Sequence, residues 1–109
     1  MTSRMPLSIL LDDDTLVREL WTYVYSAKKI PFTSFGSVDE FQAALPRFAK
    51  TDFYYIDQDL NHELSGTDIA RNLIERGYEN IYLASGHEAE GLPTVAGLKG
   101  YVGKSPPVQ

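Results

Sequence analysis

At 109 residues the chain is the size of one domain, and its 43% apolar content, with seven Tyr, five Phe and one Trp, can fill a core. The absence of Cys excludes disulfide frameworks, Cys-based zinc sites and thiol chemistry. A net charge of −5 without a Lys/Arg cluster argues against nucleic acid and anionic membrane surfaces, no apolar run approaches the roughly 18 residues of a membrane span, and the stretch before the first acids is too short for a signal peptide, so a soluble cytoplasmic chain is expected.

Taken in order, apolar runs alternate with helical patterns. Residues 7–11, "LSILL", are a short unbroken apolar run, as in a strand buried on both faces, and they stop at Asp12, Asp13 and Asp14. Asp14 can N-cap the next segment, where Leu16, Leu20, Tyr23 and Val24 recur at helical spacing, as do Val17 and Trp21. Residues 32–36, "FTSFG", read as a weaker strand. Ser37 and Glu40 form a capping box that opens a helix carrying Phe41, Ala44 and Leu45, which Pro46 shortens or kinks.

A further buried strand is predicted at 52–56, "DFYYI". A helix follows Gly66, with Ile69, Leu73 and Ile74 on one face and Gly77 at its C-terminal end. "NIYLA" (80–84) and "GYVGK" (100–104) complete five strands. The rhythm predicts an α/β domain over 1–109 with a doubly wound, five-stranded parallel sheet. Gly91, Pro93 and Gly97 reduce the fourth helix, and the five residues after Lys104 leave the fifth missing.

In such a sheet ligands gather outside the carboxyl ends of the strands. Those ends carry Asp12, Asp13, Asp57, Ser85 (before Gly86) and Lys104. Singly, each has an ordinary explanation as a helix cap, a turn or a surface charge; together they fall on one rim. Two carboxylates ~4 Å apart repel by roughly 4 kcal/mol at an effective dielectric near 20. A hard divalent cation such as Mg²⁺ relieves that cost, Lys104 offsets one charge, and Ser85 can donate to an oxyanion. An Asp nucleophile beside Mg²⁺, a Lys and a hydroxyl is the set needed to form an acyl-phosphate.

The segments "ILLDDDTLVREL", "YYIDQDL…SG", "LASG" and "GYVGKSP" resemble the receiver domain of two-component response regulators, over about residues 6–106. The resemblance implies a flavodoxin-like fold and a phosphoacceptor module rather than a turnover enzyme, limited to its own phosphorylation and dephosphorylation. It implies that Asp12 and Asp13 hold Mg²⁺, that Asp57 takes the phosphoryl group, and that the backbone carbonyl of Asp59 completes the metal site. Ser85 and Lys104 match the family's hydroxyl and Lys, and Tyr101 its inward-swinging switch aromatic. The implied partner is a sensor histidine kinase or a histidine phosphotransfer protein.

Some features depart from the family. The loop after Asp57 is one residue longer than the commonest form. The family's Lys-Pro, often with a cis bond, is here Lys104–Ser105–Pro106. Ser85 and Lys104 are only 19 residues apart. The reduced fourth and absent fifth helices form the usual output face. Without the fifth, apolar surface beside "GYV" and the first strand should be open, and a homodimer or a partner protein is expected to cover it. His62 and His87 sit in rim loops without partners at metal-ligand spacing and read as solvated; His87 could also tune dephosphorylation. Two alternatives remain. One is a degenerate receiver serving as an interaction or dimerisation module. The other is a small phosphatase of the haloacid-dehalogenase class using Asp57 and Asp59 as Asp-x-Asp, although that class places its metal acids after the Lys.

Overall fold

A computed structural model of the chain describes residues 5–60, 63–85 and 95–108. Strand β1 (Ser8–Leu11) leads to helix α1 (Thr15–Ala27), β2 (Phe32–Phe35) and α2 (Val38–Ala44); a single 3-10 turn, Leu45–Arg47, follows. Then come β3 (Phe53–Asp57), α3 (Gly66–Glu75), β4 (Asn80–Ala84) and β5 (Gly100–Val102). All the strand pairings are parallel, in the order β2-β1-β3-β4-β5. The predicted five-stranded flavodoxin-like sheet is therefore present. β1 lies between β2 and β3, so the chain reverses its direction of travel across the sheet there, and the crevice falls at the carboxyl ends of β1 and β3.

Alternation along the strands divides the core. Ile9, Leu11, Tyr54, Ile56, Ile81 and Leu83 face α2 and α3, where Phe41, Leu45, Ile69 and Leu73 are buried against them. Leu10, Tyr55 and Ala84 face the other way, onto Trp21 and Tyr25 of α1. Trp21 stacks on Tyr25 with centroids 6.0 Å apart and meets Tyr55 edge-on at 5.4 Å.

The rotation of α1 decides between the two predicted stripes. Trp21 and Tyr25 are buried and Val17 half-buried, whereas Leu16 and Tyr23 are each 74% exposed and Leu20 46%. The stripe through Leu16, Leu20 and Tyr23 thus faces solvent, contrary to a core reading. The rings of Trp21 and Tyr25 pack against Leu10, Phe32 and Tyr55, with Tyr25 stacked on Phe32 at 4.6 Å and Trp21 edge-on to Tyr55, and this aromatic cluster sets the helix face.

The caps are local. Asp14 Oδ1 accepts the Leu16 N–H at 2.9 Å, and Ser37 Oγ accepts the Glu40 N–H at 3.3 Å. A full capping box that the sequence reading missed opens α3. Ser65 Oγ accepts the Asp68 N–H, and Asp68 Oδ2 accepts the Ser65 N–H. Pro46 ends α2 by tightening it into the 3-10 turn. Gly77, with φ +92°, follows α3 as expected.

After β5 the described chain, 103–108, contains no helix, and Val108 packs back on the α1 face. The expectation of an exposed first strand is corrected, because all four β1 residues are buried and Leu10 lies beneath α1. The half-covered part of that face is Phe53, Tyr82 and Val102. The predicted fourth-helix stretch falls mostly on 86–94, and Gly86, His62 and His87 likewise lie outside the described residues. No helix among the described residues is long and apolar enough to cross a membrane.

Candidate phosphoacceptor site

The parallel ladder brings the strand ends together. Asp12, which is fully buried, follows β1 directly, and its N–H donates to Phe35 O at the end of β2. Asp57 is the last residue of β3 and pairs with Ala84, the last of β4, so Ser85 stands one step beyond that pair. Ser85 is buried and tied to β5 through its N–H to Val102 O at 3.0 Å. That bond brings the chain to Lys104, two residues on.

Lys104 Nζ joins the acids. It donates to Asp12 Oδ2 at 2.7 Å and to Asp57 Oδ1 at 2.8 Å. Both carboxylates are nearly dry, with side-chain exposures of 0% and 6% against 31% for Lys104. Asp57 Oδ1 also accepts the Asp59 N–H at 3.1 Å. One ammonium faces two buried carboxylates, with Asp13 beside them, and the electrostatics follow. Burial pushes Asp57 up to about 6, with the nearby Asp12 charge adding to the rise; hydrogen bonds from Lys104 and from the Asp59 N–H oppose it. Burial alone would lower Lys104, but the hydrogen bonds and charges of Asp12 and Asp57 hold it above the ordinary lysine value.

Asp12, Asp13 and Asp57 each offer a carboxylate oxygen, all within 4.8 Å of one another. An all-oxygen donor set with surplus negative charge suits a hard cation. An octahedral Mg²⁺ with bonds near 2.1 Å holds opposite ligands about 4.2 Å apart, so the cluster matches the span of one ion. The predicted acids are thus brought together. The Asp59 side chain is exposed and its carboxylate is not among these three. Tyr101 is half-buried on β5, in register with Leu83, on the sheet face toward α3. No peptide among the described residues is cis, those of Lys104–Ser105–Pro106 included.

Sequence reasoning missed four contributors. Gly66 lies so close to Asp57 that a Cβ there would sit 2.0 Å from the Asp57 carbonyl oxygen. Thr67 Oγ1 donates to Gln58 Oε1 at 2.6 Å, tying the residue after Asp57 to the first turn of α3. Arg18 Nη1 donates to Asp12 O at 2.7 Å, and Trp21 Nε1 donates to Lys104 O at 2.8 Å. Small residues crowded at 65–67 were the available signal for the first two. For the last two there was none, because contacts 6 and 83 residues apart depend on where α1 docks.

No family model matches the sequence. No curated protein matches it either. Solved structures do resemble it. A CheY-like response regulator receiver domain protein from Methanospirillum hungatei JF-1 superposes with TM-score 0.77 at 15% identity, covering 97% of this chain and 85% of that one. The response regulator TrrA from Thermotoga maritima, in complex with Mg²⁺-BeF, gives 0.76 at 17% identity, covering 93% and 88%. The BeF₃-activated N-terminal receiver domain of RstA from Klebsiella pneumoniae gives 0.78 at 19%, again covering 93% and 88%. With its parallel 2-1-3-4-5 sheet and an acid rim at the switch point, the chain has the fold of the response regulator receiver domains.

Proposed function

We propose that the domain is a phosphoacceptor of a two-component phosphorelay, taking a phosphoryl group on Asp57 from a phosphohistidine of a sensor histidine kinase or a histidine phosphotransfer protein. The observation that carries this reading is the Lys104 ammonium shared between buried Asp12 and Asp57 beside Asp13. Asp12, Asp13, Asp57 and the Asp59 backbone carbonyl are the groups that would hold Mg²⁺. When bound, that ion supplies positive charge for the phosphoryl oxygens.

Asp57 Oδ1 is engaged by Lys104 and the Asp59 N–H, which leaves Oδ2 to attack phosphorus. The O–P bond forms as the P–N bond breaks, and the imidazole leaves with the electron pair of that bond. Lys104 then shifts toward the new phosphoryl oxygens, Ser85 donates a hydrogen bond to one of them, and Tyr101 responds as the switch aromatic. Attack of water on phosphorus later releases inorganic phosphate and restores the Asp57 carboxylate. The donor protein covers the outer face of α1, the helix that starts two residues after Asp13, where Leu16, Leu20 and Tyr23 stand exposed. A domain confined to its own phosphorylation, working in the cytoplasm, is the setting this chemistry implies.

Incubation with Mg²⁺ and acetyl phosphate should add the mass of one phosphoryl group, seen by intact mass spectrometry. Asp57→Ala should abolish it; an adduct persisting in that variant would refute the assignment. Sustained turnover of small phosphomonoesters, lost in Asp59→Asn, would instead favour the phosphatase alternative.

A further inference from the structure

The position of Lys104 poses a mechanical problem. Its ammonium must meet two buried carboxylates at 2.7 and 2.8 Å, yet its main chain stands past the end of a strand of only three residues at the sheet edge. Gly103 precedes it in open space, with no atom within 4 Å of where a Cβ would be. Unrestrained backbone on either side of the residue would spread the ammonium over several positions.

The restraint comes from α1. Trp21 Nε1 donates to Lys104 O at 2.8 Å, across 83 residues of sequence. The indole is fully buried and held by Tyr25, Phe32 and Tyr55, with centroids at 6.0, 6.3 and 5.4 Å. A rigid two-torsion side chain packed on three rings fixes its N–H more firmly than an exposed donor could. One turn earlier on α1, Arg18 Nη1 donates to Asp12 O at 2.7 Å. The two ends of the Asp12–Lys104 contact are thus tied by their main-chain carbonyls to side chains three residues apart on one helix.

We propose that Trp21, with Arg18, is a positioning residue for phosphoryl transfer: α1 fixes the Asp12 and Lys104 main chains and so sets the ammonium against the phosphoacceptor. This rests on the phosphoacceptor reading of the site. Trp21 touches no reacting atom and acts only through Lys104.

The test measures the rate of phosphorylation by acetyl phosphate with Mg²⁺, over a range of donor concentrations, for wild type, Trp21→Phe, Lys104→Met, the double variant and Phe41→Leu. Thermal melts by circular dichroism accompany each. Trp21→Phe keeps a ring and removes the donor; it should lower the maximal rate about five- to tenfold, the scale of one lost buried hydrogen bond, with half-saturation unchanged. In the Lys104→Met background the same substitution should cost nothing further. Phe41→Leu, which loosens the core on the opposite face of the sheet and leaves the indole and its ring contacts in place, should keep the wild-type rate. A folded Trp21→Phe with the wild-type rate, or an equal loss in the Lys104→Met background, would overturn the proposal.

Should Trp21→Phe fail to fold, the wild-type chain answers alone, because Trp21 is its one tryptophan. Mg²⁺ with beryllofluoride should shift its emission in wild type and not in Lys104→Met. No shift in a wild type that demonstrably takes the phosphoryl group would sink this proposal only. A wild type that takes none would sink the phosphoacceptor reading and this inference with it.

Discussion

Asp57 carries the sharpest electrostatic consequence. Its folded value of about 6 lies above the ordinary 3.8, so the folded domain binds that proton more tightly than the unfolded chain. This contribution to stability is fully present below 3.8 and is lost as pH rises through about 6. At neutral pH the ionised, buried Asp57 costs roughly 2–3 kcal/mol in the absence of metal. Asp57→Asn should therefore stabilise the metal-free domain by about that amount at pH 7, measured by urea unfolding, with the advantage fading toward pH 4. An advantage independent of pH would contradict the cause given. Gly66 is the second residue-scale prediction. Its Cβ would collide with the Asp57 carbonyl oxygen, which is backbone and cannot swing aside. Gly66→Ala should cost about 2 kcal/mol or more and impair phosphorylation together with stability. The acids, Ser85 and Lys104 could be found in the sequence because each directly follows an apolar strand. The reason for Gly66 could not, although the small residues at 65–67 marked the spot, because the need arises from the loop folding back on the residue nine positions earlier.

Among the elements, α1 shows where pattern reading stops. Two apolar stripes run along it, and periodicity alone cannot say which is buried. The aromatic pocket of Leu10, Phe32 and Tyr55 selects Trp21 and Tyr25, leaving Leu16, Leu20 and Tyr23 in water. Replacing those three with Ser should change stability by no more than ~0.5 kcal/mol each. It should slow phosphotransfer from a phosphohistidine protein while leaving acetyl phosphate as effective as before. Equal losses with both donors would argue that the stripe supports the fold rather than a partner. The N-cap is the element's other lever: Asp14→Ala removes the acceptor for the Leu16 N–H and should cost about 1 kcal/mol in thermal or urea unfolding.

At the scale of the whole molecule, a parallel sheet needs cover on both faces. α2 and α3 cover one; α1 covers the β1 end of the other, with Val108 joining its apolar cluster. Phe53, Tyr82 and Val102 stay half-buried, with Tyr82 stacked on Tyr55 at 5.0 Å. A second copy covering that remainder is the predicted occupant, and sedimentation should show a dimer that Val102→Glu or Tyr82→Glu disperses. A monomer at high concentration would dismiss it. Mg²⁺ at 100 times its dissociation constant should raise stability by about 2.7 kcal/mol, and Asp13→Asn should weaken that effect.

The order of apolar runs and helical patterns determined the parallel sheet, and the polar residue ending each run determined which side chains reach the rim. Both are local properties, since a strand buried on two faces must be apolar throughout and a change to polar must mark its end. The docking of α1, the bridging of Asp12 and Asp57 by one ammonium, and the hold of Trp21 on Lys104 were decided only in three dimensions. They depend on which surfaces bury the most area against each other, and residues 83 apart carry no local trace of that choice.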